Sequence, residues 1–107
     1  MAVVELTQDT MESFLETNKD KTVLIDFWAS WCAPCKQLLP VVEKLAEENQ
    51  DIVIAKVQVD VEEQLSNQYK VRRVPTFIAL KDGKRQDPLI AKTYTKDVLQ
   101  EYIDKHK

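Results

Sequence analysis

Cys32 and Cys35 are the only cysteines in the chain, and they stand in C-x-x-C spacing within Trp31-Cys32-Ala33-Pro34-Cys35-Lys36. This segment lies where an apolar strand pattern gives way to a helical one. Residues i and i+3 on one helical turn are neighbours, roughly 5–6 Å apart at Cβ. A disulfide needs Cβ atoms about 3.5–4.5 Å apart, so a small adjustment closes the bridge and both redox states are reachable on one backbone. A helix N-terminus offers unpaired N–H donors and a positive dipole end to the first sulfur, which favours its thiolate. Pro34 fits that first turn, where its missing N–H would have no partner. Cys32, the more exposed position, is predicted to attack, and Cys35, one turn inward, to resolve.

Two other readings of the pair are weaker. A structural zinc site needs two further ligands, and the lone histidine, His106, sits near the chain end as a solvated tail residue. A static bridge closing so short a loop would add little stability. Asp26 is the second anomaly, because it interrupts the apolar Val23-Leu24-Ile25-Asp26-Phe27-Trp28. There a buried carboxylate costs several kcal/mol or stays protonated. It is either a strand-edge aspartate turned to water or a proton carrier of raised pKa beneath the cysteines. Lys56 either snorkels towards that carboxylate and tempers its shift or is simply solvated. Val74-Pro75-Thr76 opens a further strand, and trans is the statistical default for its X–Pro bond.

The rest of the composition bounds the function. At 107 residues, with 44% hydrophobic and 31% charged residues, the chain reads as one globular domain spanning 1–107. Fifteen Lys+Arg against eighteen Asp+Glu leave a net charge of −3, which argues against a general nucleic-acid binder. No apolar run approaches the roughly 18 residues of a membrane helix. Met1-Ala2-Val3-Val4-Glu5 has neither a basic patch nor an apolar signal core, so no export is predicted. Glycine occurs once, at Gly83, which excludes glycine-rich phosphate loops.

Hydropathy periodicity places the elements around the cysteines. Strands are predicted at Val3–Leu6, Thr22–Ala29, Ile52–Val59 and Thr76–Leu80, and around Leu89–Lys92. Asp82-Gly83 supplies the turn between the last two, and Pro88 suits an edge strand. Helices are predicted from about Asp9 to Thr17, from Ala33 to about Asn49, at Glu62–Tyr69, and over the Val98, Leu99, Tyr102, Ile103 stripe. Pro40 falls inside the long helix. The order βαβαβαββα, with wholly apolar central strands, implies an α/β sandwich with helices on both faces.

Taken together, FWASWCAPCK, the acid six positions before the first cysteine and the later RVPTF resemble the thioredoxin family over essentially the whole chain. The resemblance implies a thioredoxin fold: a central mixed five-stranded sheet ordered 1-3-2-4-5, its last two strands antiparallel, flanked by four helices on both faces. It implies a protein disulfide reductase working through a Cys32–Cys35 disulfide, with no metal and no organic cofactor. Cys32 is then the attacking and Cys35 the resolving thiol, Asp26 the buried acid and Lys56 its neighbour. Trp31 and Pro34 border the reactive sulfur. Pro75 resembles the family's cis-proline, reversing the trans default, and the backbone of Val74 would pair with substrate. Trp28 and Pro40 also match family positions, but core packing and a helix kink account for them. The implied partners are disulfide-containing protein substrates and a thioredoxin reductase, for a cytoplasmic monomer with no nucleic acid and no membrane. The alternative is a thioredoxin-fold binding subunit or chaperone that uses the same surface without turnover.

Three departures bear on specificity. Ala33-Pro34 replaces the family's usual Gly-Pro, which stiffens the helix start by up to ~1 kcal/mol. Lys70-Val71-Arg72-Arg73-Val74 and Lys92-Thr93-Tyr94 lack the glycines expected near the substrate groove. Arg73, with Lys70 and Lys36, is predicted to give the groove a positive rim and a preference for acidic substrates.

Overall fold

In the computed structural model, which describes residues 3–107, the chain runs β1 (Val3–Leu6), α1 (Met11–Thr17), β2 (Thr22–Trp28), α2 (Ala33–Glu48), β3 (Val53–Gln58), α3 (Glu63–Gln68), β4 (Thr76–Lys81), β5 (Lys84–Arg85) and α4 (Lys96–His106). Met1 and Ala2, part of the N-terminal reading above, lie outside the described residues. β2 takes the centre because Val23, Leu24, Ile25 and Phe27 need cover on both faces, and all four are buried. The sheet order is β1-β3-β2-β4-β5. β1 and β2 both run parallel to β3, whereas β4 is antiparallel to β2 and β5 to β4.

Two apolar layers sandwich this sheet. On one face Leu24, Ile54 and Phe77 share a cluster with Leu38, Val42 and Leu45 of α2 and Leu99 and Ile103 of α4. On the other, Ile25, Phe27 and Val57 pack with Met11 of α1 and Leu65 of α3. The side chains alternate along each strand, so every second residue of β2 points towards α2. Among the described residues, no helix is long and apolar enough to cross a membrane.

The structure corrects two expectations. The last strand lies at Lys84–Arg85, not around Leu89–Lys92. Asp82 and Gly83 both have positive φ, 53° and 75°, as a two-residue hairpin turn requires, and such a turn pairs its immediate flanks, here Lys81 with Lys84. Leu89 survives only as an isolated bridge to Phe77, and Pro88 lies outside any strand. His106 is not a solvated tail residue. It belongs to α4, is half-buried, and its ring lies 4.5 Å from that of Tyr102 one turn earlier. Thr22 Oγ1 donates to the His106 carbonyl at 3.1 Å, which anchors the turn.

Candidate active site

The two cysteines come from the join between β2 and α2. Cys32 is the N-cap of α2 in extended conformation, and its Sγ accepts the Cys35 backbone N–H at 3.2 Å. Pro34 follows within the first turn, where no partner for its nitrogen is needed. Cys32 and Cys35 form a disulfide with Cα atoms 5.3 Å apart. Cys32 is 5% exposed and Cys35 1%, in the order predicted for attacker and resolver. Trp31 stands beside them 72% exposed, an unusual state for so large an apolar surface.

Around the pair, Ala29 is buried with both sulfurs, and Trp28, Val59 and Val74 pack against that cluster. Val74–Pro75 is a cis bond, so the residue-level default of trans is overturned in favour of what the resemblance implied. The strand-to-helix loop is held from below by Asp60, which accepts Ser30 N–H at 3.2 Å and Ser30 Oγ–H at 2.6 Å. These bonds also hold the Asp60 carboxyl below the usual range. Sequence reasoning missed Asp60. Nothing in its neighbours signals a contact with a loop thirty residues earlier in the chain.

Asp26 is 1% exposed, which rejects the strand-edge reading. It stands on the sheet face that α2 covers, between Leu24 in the Leu38–Val42 layer and Trp28 against the cysteines. Neither carboxylate oxygen has a hydrogen-bond partner among the described residues. Burial pushes its pKa up to about 7, opposed by the Lys56 charge and assisted by that of Glu5.

Lys56 is the register partner of Asp26 across β2–β3 and of Glu5 across β1–β3, so the three form a row over adjacent strands. The ammonium ion-pairs with Glu5 at 3.8 Å and lies 5.6 Å from the centre of the Trp28 ring. Lys56 is thus neither simply solvated nor paired with Asp26: its charge tempers the Asp26 shift, while its ion pair is with Glu5, the better-hydrated acid of the two. Burial raises the Glu5 pKa, while Lys56 and the nearby Trp28 indole pull it down. That indole N–H makes no well-formed hydrogen bond. Sequence reasoning missed Glu5 also. Its only signal is the period-two step from Val3, which puts it on the α2 face, and a four-residue strand carries that weakly.

Among the described residues no group of three or more His, Cys, Asp or Glu side chains is arranged to hold a metal ion. The family model described as Thioredoxin matches residues 2–105. The chain belongs to the thioredoxin family. It is 38% identical over 107 residues to a thioredoxin of Bacillus subtilis, covering 99% of each chain. A thioredoxin of Chlorobaculum thiosulfatiphilum is 41% identical over 90 residues, covering 83% of this chain and 82% of that one. Among solved structures, the reduced thioredoxin pre-protein of Schistosoma mansoni superposes with a TM-score of 0.88 at 34% identity, covering 100% of both chains. The thioredoxin of Fasciola hepatica gives 0.87 at 37%, with the same coverage. The chain has the thioredoxin fold, and it is a thiol-disulfide oxidoreductase with the dithiol that protein-disulfide reduction requires. Thioredoxins act on disulfide substrates and are reduced by thioredoxin reductase.

Proposed function

We propose that residues 1–107 act as one domain, a cytoplasmic monomer that reduces protein disulfides with Cys32 as nucleophile and Cys35 as resolving thiol. The observation that carries this is the Cys35 N–H donating to Cys32 Sγ at the N-cap of α2. A backbone donor and the helix dipole stabilise a thiolate at Cys32 and not at Cys35.

The Cys32 thiolate attacks one sulfur of the substrate disulfide. A Cys32–substrate bond forms, the substrate S–S bond breaks, and the first substrate thiolate leaves to be protonated by water. Cys35 then gives its proton to ionised Asp26, and its sulfur attacks Cys32. The Cys32–Cys35 bond forms and the second substrate thiolate leaves. The substrate gains two electrons and the dithiol loses them, to be restored by a thioredoxin reductase. With a pKa of about 7, Asp26 both accepts a proton at neutral pH and returns one. Lys56 steadies the ionised form at one remove, and Trp31, Pro34 and cis Val74–Pro75 offer the apolar and backbone surface on which substrate rests.

Insulin reduction by dithiothreitol tests this. The protein at micromolar concentration is expected to speed precipitation of the insulin B chain well beyond dithiothreitol alone. A rate no greater than dithiothreitol alone would favour a binding subunit or chaperone that does not turn over.

A further inference from the structure

Beside the cis Val74–Pro75 bond the surface opens into a groove of about 230 Å³, lined by Lys70, Arg72, Arg73 and Arg85 with Ile90 and Tyr94 among its apolar walls. All four cations are exposed, and no acidic side chain lines the groove. Asp87, the one acid between residues 84 and 90, is not part of the lining. Among the described residues none of the four cations forms an ion pair, although acids outnumber bases over the whole chain. Lys36, expected at this rim, does not line it, whereas Arg72 and Arg85 do.

The backbone carrying these charges is pinned. Lys70 has φ 58°, a left-handed conformation that turns the chain out of α3. Val71 N–H donates to the Ser66 carbonyl at 2.9 Å, and Ser66 Oγ–H returns a bond to the Val71 carbonyl at 3.1 Å. Thr76 Oγ–H donates to the Arg73 carbonyl at 2.6 Å, holding the last cation immediately before Val74, which touches the cysteine cluster. Four like charges held together without an internal counter-charge repel one another. A partner that brings the counter-charge relieves this.

We propose that this groove is a docking site for acidic segments of the disulfide-bonded proteins that the chain reduces, setting its substrate preference by charge. The proposal rests on the reductase reading above. An extended segment leaving the substrate cysteine passes Val74 and enters the groove, its Asp or Glu side chains meeting Arg72, Arg73 and Arg85 and an apolar side chain resting on Ile90. Exposed charges of this kind act chiefly on encounter rate, and salt screens them over about 8–10 Å.

The test uses three disulfide peptides of equal length whose flanks are acidic, neutral or basic, reduced by the full chain in stopped flow. Each rate is divided by that of dithiothreitol on the same peptide, because flanking charge also alters the leaving thiol. In low salt the acidic peptide is expected to react roughly tenfold faster than the basic one, and the ratio to shrink in high salt. Arg73→Gln with Arg85→Gln is expected to lose most of that ratio. Lys19→Gln with Lys44→Gln, an equal change of net charge elsewhere, is expected to keep it. Equal rates for acidic and basic peptides, or equal ratios in the two double variants, would overturn the groove proposal while leaving the reductase reading intact. Failure to reduce even the neutral peptide would overturn the reductase reading. A serine-substituted acidic peptide titrated onto the oxidised protein then reads the groove separately, by amide shifts expected at residues 70–73 and 85. Absence of those shifts, or their appearance only with an oligonucleotide of equal charge, would overturn the acidic-peptide assignment.

Discussion

Burial raises the Asp26 pKa to about 7, and the row Glu5–Lys56–Asp26 offsets that rise only in part, because its one cation is shared between two acids and pairs with the outer one. Glu5 acts on Asp26 in two ways: its own charge opposes ionisation, and it holds the Lys56 ammonium that would favour it. Glu5→Gln removes both effects, so the Asp26 pKa is expected to fall below its present value of about 7. A carboxyl-carbon NMR titration of the oxidised protein checks this, and an unchanged or raised pKa would contradict the row as described. At this scale the sequence was informative where a residue broke a pattern. Asp26 among apolar neighbours and two cysteines at helical spacing both stood out. Glu5 and Asp60 broke no pattern, because an acid in a short edge strand or just after a strand is ordinary. Their roles come from strand register and a cross-loop bond, which exist only after folding.

The elements position the site through two joins, β2 to α2 and α3 to β4. Beyond the second, the edge strand β5 is so short that β4 lacks a full neighbour, and a side chain from α4 fills in. The Tyr102 hydroxyl accepts Ala79 N–H at 2.9 Å and donates to the Asp87 carbonyl at 2.7 Å. Tyr102→Phe leaves the buried Ala79 N–H unpaired and is expected to cost about 1–3 kcal/mol. Urea unfolding with an unchanged m-value would show it, and a loss below about 0.5 kcal/mol would mean that the strand edge is satisfied by water instead. The same region is where the sequence misled. Leu89, Ile90 and Ala91 look like a strand, but positive φ at both Asp82 and Gly83 obliges Lys84 and Arg85 to take the pairing. The six elements before β4 were legible because each had apolar residues to bury. A two-residue strand whose side chains are exposed has no hydropathy signal to read.

For the whole molecule, the buried acid sets a stability cost that grows with pH. Its folded pKa is raised from 3.8 to about 7, so between those values the folded state holds a proton that the unfolded chain has released. The stability this carboxyl contributes is complete below its unfolded pKa and is lost as pH rises through the folded one. Asp26→Asn removes the effect. Relative to the variant, the wild type is expected to lose on the order of 2–3 kcal/mol between pH 5 and pH 8. Denaturant midpoints of both proteins at the two pH values measure it, and a gap independent of pH would contradict a buried, unpaired Asp26. The chain accepts this cost beside a dithiol whose two sulfurs differ only in their place on one helical turn. That difference is the central claim, and capture of substrate by the two serine variants tests it most directly. Each variant is mixed with a disulfide-bonded protein substrate and resolved by non-reducing electrophoresis. Cys35→Ser is expected to accumulate a covalent mixed disulfide, because its attacking thiolate remains and its resolving thiol does not, while Cys32→Ser forms none. Equal capture by both variants, or capture by Cys32→Ser alone, would contradict the assignment.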